Sequence, residues 1–112
     1  MIDQVKIDNI QAQMRKGILE YCILNVLAKK ESYPSDIIEA LKKAEVIVVE
    51  GTLYPLLTRL KNSGLLRYNW VESQSGPPRK YYALTEEGIT FLTELKKTWT
   101  ELAKAVESVE NK

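Results

Sequence analysis

The chain has no histidine and one cysteine, Cys22. Without histidine there is no Ser-His or Cys-His dyad and no imidazole metal site. One cysteine excludes an internal disulfide and a thiolate cluster. Cys22 also lies in the most apolar stretch of the chain, where a thiolate is disfavoured and a core role expected. The five glycines form no phosphate loop and no dinucleotide fingerprint; Gly51 and Gly64 read as helix-end glycines. No apolar run approaches the ~20 residues of a membrane span. Met1-Ile2-Asp3-Gln4 lacks the basic segment and apolar core of a signal peptide, so the expected location is the cytoplasm. These absences argue against an enzyme and leave no cofactor or metal to expect.

A further shortage is local. Net charge is +1 over 112 residues, but the signs are not evenly spread. Residues 1–51 hold seven basic and eight acidic side chains, and residues 83–112 hold four and six. Between them, residues 52–82 hold Arg59, Lys61, Arg67, Arg79 and Lys80 against Glu72 alone. Such a region attracts polyanions although the whole chain is near neutral.

The acid-poor region opens with Gly51-Thr52-Leu53-Tyr54-Pro55-Leu56-Leu57-Thr58-Arg59-Leu60-Lys61-Asn62-Ser63-Gly64. Leu53, Leu56, Leu57 and Leu60 recur at i, i+3, i+4 and i+7, one apolar stripe of an α-helix. Gly51, Pro55, Thr58 and Asn62 point the other way, with Thr52, Tyr54, Arg59 and Lys61 on the flanks. Proline is tolerated only where the helix N–H has no partner, so Thr52 is the expected N-cap, with Pro55 in the first turn. Gly64 supplies the left-handed stop. The outer face carries hydroxyls, an amide and cations, as a helix entering a DNA groove requires.

Ahead of it, Ile10 to Lys29 reads as a helix whose second half is apolar nearly all round, and residues 1–9 as a fraying end. Gly17 there either admits another helix closely or is simply tolerated. Pro34 begins a second helix running to Ala44, and Val46-Ile47-Val48-Val49 reads as a short strand able to pair with those that follow. The second and third helices form a helix-turn-helix. After it, Leu66 to Ser73 alternates as a strand in which Trp70 is a strand aromatic; Gln74-Ser75-Gly76-Pro77-Pro78 reads as the turn and Arg79 to Leu84 as the return. The hairpin is the wing. Thr85 caps a last helix, with Glu86 and Glu87 at its positive end. Leu92, Leu95, Trp99, Leu102, Val106 and Val109 then recur at spacings of three and four, a heptad seam that calls for a second copy.

The run from Gly51-Thr52-Leu53-Tyr54-Pro55-Leu56-Leu57 to Gly64-Leu65, followed by Gly76-Pro77-Pro78-Arg79-Lys80-Tyr81-Tyr82-Ala83-Leu84-Thr85-Glu86-Glu87-Gly88, closely resembles the PadR family of transcriptional regulators. Val49-Glu50 departs from the Ser-Pro that many members carry there. The resemblance implies a winged helix-turn-helix with added N- and C-terminal dimerisation helices, mainly α with a small antiparallel hairpin. It also implies that Trp99 matches a tryptophan that stacks planar ligands in drug-sensing members; filling the dimer seam is the alternative for that side chain.

The expectation is one domain, 1–112, with 10–84 as the DNA-binding part and 85–110 as the dimerisation helix. Its function is sequence-specific DNA-binding regulation, as a repressor released by an effector; the alternative is a dimeric winged-helix adaptor for a protein partner. Arg79, Lys80 and Lys61 are expected on phosphates, Thr52 and Tyr54 as hydroxyl donors, and Thr58, Arg59 and Asn62 on bases, with phosphate the alternative for Arg59. A homodimer would meet an inverted repeat with half-sites about 10 base pairs apart.

Overall fold

The structure is a computed structural model, and it describes residues 1 and 3–111. Six elements follow in order: α1 (Gln4–Lys29), α2 (Pro34–Lys43), α3 (Glu50–Asn62), β1 (Leu66–Ser73), β2 (Gly76–Leu84) and α4 (Glu86–Glu110). The fold is mainly helical with a two-stranded antiparallel hairpin, as expected.

One core joins the first five elements. Leu19, Ile23, Leu24 and Leu27 of α1 meet Ile37 and Leu41 of α2, Leu53, Leu57 and Leu60 of α3, and Leu66 and Tyr82 of the hairpin. The α3 stripe is buried as its spacing requires. From α4 the apolar side chains Leu92 and Leu95 pack against this core, and Gly88 is buried beside Leu65. The rest of α4 and the first half of α1 reach outward, and the molecule measures 55 × 34 × 23 Å.

Four local expectations are corrected. First, α1 begins at Gln4 rather than Ile10, because the Asp3 carboxylate accepts hydrogen bonds from the N–H groups of Val5 and Lys6. Second, α3 begins at Glu50, so Thr52 is its third residue and not its cap. The Val49 carbonyl accepts from both Thr52 and Leu53, at 3.0 Å each. Pro55 therefore sits inside the helix and cannot donate to the Gly51 carbonyl. Gly51 is exposed, so water can take that bond. The same start gives the helix one acid, Glu50, in its first turn, where the dipole favours it.

Third, Val46–Val49 is not a strand. The chain leaves α2 through a Schellman turn: Val46 N–H donates to Leu41 O at 2.8 Å, and Glu45, at φ 64°, donates to Lys42 O. Val48 is buried, while Ile47 and Val49 stay exposed without ladder partners. Ser32 takes the place expected of this segment, exchanging hydrogen bonds with Tyr82 at 3.0 and 2.8 Å. β-branched residues alone did not choose the pairing partner; the turn geometry did.

Fourth, the hairpin turn is only Gln74–Ser75, and both prolines lie within β2. The register moves from Val71↔Arg79 to Ser73↔Gly76, so Pro77 and Pro78 together face Glu72 in a bulge. A two-stranded sheet has free edges, and a bulge is where a residue without an N–H fits a strand.

The α3-to-hairpin connection and the start of α4 interlock. Gly64, at φ 83°, closes α3 with a Schellman turn in which Leu65 N–H donates to Leu60 O at 3.0 Å. The Thr85 hydroxyl donates to Gly64 O at 2.7 Å and accepts from Gly88 N–H at 2.9 Å. A Cβ on Gly88 would stand 2.2 Å from Leu65 O, so α4 can approach this closely only with glycine there. Gly17, by contrast, has nothing within 4 Å of a would-be Cβ, so no contact within the chain requires it.

Candidate nucleic-acid interface

Burying Leu53, Leu57 and Leu60 turns the opposite side of α3 to solvent, and Thr52, Tyr54, Pro55, Thr58, Arg59, Lys61 and Asn62 are all exposed. Tyr54, Pro55, Thr58, Arg59 and Asn62 surround one shallow hollow on this face. The three side chains assigned to base edges, Thr58, Arg59 and Asn62, therefore lie together. Thr52 lies outside that hollow, near the helix start.

The face is not free of carboxylates. Arg59 forms an ion pair with Glu20 of α1; the Arg59 side chain is 62% exposed and the Glu20 side chain 30%. Acids are scarce within the segment's own sequence but not in its surroundings. Arg67 pairs similarly with Glu31, at 3.3 Å. Pairs this exposed contribute only about 0–1 kcal/mol each, so neither guanidinium is locked.

The hairpin separates the two wing cations. Arg79 and Lys80 are consecutive strand residues and so project to opposite faces. On one face Arg79 stacks over the Tyr33 ring at 4.0 Å and donates to the Ser35 hydroxyl at 2.7 Å. Tyr81, next on that face, packs against Tyr33 with ring centroids 4.9 Å apart. This ties the wing to the start of α2, where Asp36 accepts from Tyr33 N–H. On the other face Lys80 lies over Tyr68 at 4.5 Å and Trp70 at 5.5 Å, and Lys61 of α3 approaches Tyr68 at 5.7 Å.

Sequence reasoning missed Glu20, Tyr33 and Ser35. Nothing local marks them; each touches the cationic region only because the fold brings α1 or the start of α2 beside it. The alternation of β1 makes Trp70 an ordinary strand aromatic, yet it is 62% exposed. Cys22 is half-buried against the core, and burial pushes its thiol above the ordinary range. Among the described residues no group of His, Cys, Asp and Glu could hold a metal ion, and no helix is long and apolar enough to cross a membrane.

A helix pair with a polar, cationic second helix, followed by a hairpin against its end, is a winged helix-turn-helix. Comparison with known proteins then narrows the class. The model of the PadR-like family of transcriptional regulators matches residues 23–94. A solved PadR-like transcription factor from Bacteroides fragilis is 61% identical, with 90% of this chain and 98% of that one covered and a TM-score of 0.77. A PadR-like transcriptional regulator from Bacillus cereus is 36% identical, covering 87% and 95%, with a TM-score of 0.75. A PadR family regulator from Eggerthella lenta is 30% identical, covering 95% and 93%, with a TM-score of 0.82. The chain belongs to the PadR-like family, and so to the DNA-binding regulators of transcription and not to the enzymes.

Proposed function

We propose that this chain is a homodimeric, sequence-specific repressor released from its operator by an effector. The observation that carries DNA reading is the exposed α3 face, on which Thr58, Arg59 and Asn62 share one hollow beside a cationic hairpin. Phosphate contacts come from Lys61, Arg79 and Lys80, and hydroxyl contacts from Thr52 and Tyr54. Arg59 reads a base or holds a phosphate once it leaves Glu20.

Pairing is supported by the outer part of α4. Trp99, Leu102, Val106 and Val109 are all exposed, Val109 at 73%, while Leu92 and Leu95 turn toward the core. Val5, Ile10 and Met14 of α1 are exposed as well. We take residues 10–84 as the DNA-binding part of a single domain and 85–110 as the pairing helix. A partner's helices laid on these surfaces would remove them from water at about 25 cal/mol per Å².

Effector release draws on Trp99. It lies, 44% exposed, in an aromatic hollow of about 270 Å³ between α1 and α4, with Ile18, Tyr21, Phe91 and Leu102. A planar ligand seated there would change the spacing of the two recognition helices by moving α4 against α1.

Selection of bound duplexes from a random pool tests the reading. The expected product is an inverted repeat with half-sites about 10 base pairs apart. Recovery of no consensus would overturn sequence-specific recognition. Log affinity should also fall linearly with log salt, and Arg79→Ala with Lys80→Ala should lower that slope by about two. An unchanged slope removes the wing from the interface.

A further inference from the structure

We infer that Trp70 is a DNA-contacting residue, the apolar centre of a cation–aromatic strip that packs on the deoxyribose of the duplex where α3 meets the wing. The inference rests on the DNA-binding reading above and adds a residue to it.

Alternation and register place Leu66, Tyr68 and Trp70 of β1 with Leu84, Tyr82 and Lys80 of β2 on one face of the hairpin. Along this face burial fades outward: Leu66 and Tyr82 are buried, Tyr68 is half-buried, and Trp70 is 62% exposed. The core ends beneath Tyr68, so the indole one step further out covers none of it. A strand position beyond the core ordinarily carries a polar side chain; here it carries the largest apolar one.

The indole is nevertheless held in place. It meets the Tyr68 ring edge-on, at 6.0 Å and 88°, and its cross-strand partner Lys80 stands 5.5 Å from it. Lys61, from the last turn of α3, reaches the same Tyr68 ring at 5.7 Å. Two ammonium groups and two aromatic rings thus lie together in a strip running from the end of the recognition helix onto the hairpin. Among the described residues no carboxylate pairs with either lysine at this strip. Glu72, the sole acid of residues 52–82, lies further out, opposite the proline bulge.

A sugar–phosphate backbone has the complementary chemistry: anionic oxygens for the lysines and an apolar sugar face for the indole. The cation–π contacts fit this use, since lysines resting on rings are already partly oriented before phosphate arrives. A protein partner would call for acidic side chains around an apolar patch, and the single indole offers little such area.

The test uses the full chain carrying fluorotryptophan at both tryptophans, with Trp70→Phe assigning the two fluorine resonances. A mixed-sequence duplex is added at low salt, and fluorescence anisotropy of the labelled duplex follows binding independently. The Trp70 resonance should shift in step with the anisotropy and return when salt is raised. Trp70→Ala should weaken binding about tenfold, as expected for a buried aromatic anchor, while the salt slope stays that of the parent. Lys80→Ala should instead lower the slope by about one. A Trp70 resonance unmoved during saturable binding, or a Trp70→Ala chain that binds like the parent, overturns the inference and leaves DNA binding standing. No anisotropy change at low salt overturns both.

Discussion

The part of the molecule gathered around Ile23 and the part reaching past Leu95 use the same residue types to opposite ends. In the first, leucines and isoleucines from α1, α2, α3 and the hairpin bury one another almost completely. In the second, Trp99, Leu102, Val106 and Val109 run along α4 at helical spacing and meet water. The difference shows that apolar periodicity marks a surface to be covered without saying what covers it. Within the winged part the covering groups come from the same chain; on outer α4, α1 covers Trp99 and Leu102 only in part, and Val106 and Val109 stay at least half exposed.

The largest expected effect lies on the self-contained side. Leu57→Ala leaves a cavity among fully buried side chains and should lower stability by about 2–5 kcal/mol at every protein concentration. Denaturant unfolding measures it, and a loss that vanished on dilution would erase the contrast between the two parts. On the other side, Leu102→Asp with Val106→Asp should convert the proposed dimer to monomer by sedimentation. The stability lost should depend on concentration, because only pairing is removed. A dimer that survives both charges places the interface elsewhere.

The winged part itself foresaw less than its core suggests. The Leu53-Leu56-Leu57-Leu60 stripe, the Gly64 stop, the hairpin strands and the Thr85 cap were all legible, since each depends on residues close in sequence. The start of α3 was not. Pro55 argued locally for a late start, but the buried Val48 and the Val49 carbonyl began the helix three residues earlier than its expected first position. Val46–Val49 read as a strand because β-branched residues favour strands, and the Schellman turn at Glu45 left it unpaired. The candidate site was legible as a list of cations and hydroxyls; its partners Glu20, Tyr33 and Ser35 were not, being remote in sequence.

Smaller effects sharpen these points. Glu20→Gln removes the carboxylate facing Arg59 and should raise affinity for duplex two- to fivefold, about the worth of an exposed pair. Unchanged affinity would mean that Arg59 makes no net contact. Glu45→Gly should stabilise the chain by about 0.5–1 kcal/mol, since φ 64° is strained for a side-chain residue and easy for glycine. Thermal unfolding would show this, and a loss would mean that the Glu45 side chain has contacts of its own.

The smallest effect is a pH dependence. Burial raises the Tyr82 hydroxyl above its ordinary value of 10.0, with Tyr68 and Tyr54 adding to the shift, and burial raises Cys22 above 9.0. The folded chain therefore holds these protons where the unfolded chain releases them. Their contribution is complete below the unfolded values and fades as pH rises through the folded ones. Stability should decline above about pH 9, and Cys22→Ala should delay the onset of that decline. A flat profile to pH 11 would show that neither group matters on this scale, roughly one unit above the tyrosine reference.

The sequence by itself determined which faces are apolar, where helices stop, and that acids are scarce in the one stretch holding Arg59, Lys61, Arg67, Arg79 and Lys80, because periodicity, capping and charge are properties of neighbouring residues. The tertiary structure decided which carboxylate faces Arg59, that Arg79 and Lys80 serve opposite faces of the hairpin, and that Trp70 lies beyond the core. Those depend on how strands pair and on which helix lies alongside. Such distances are set by packing of the whole chain, and no local pattern contains them.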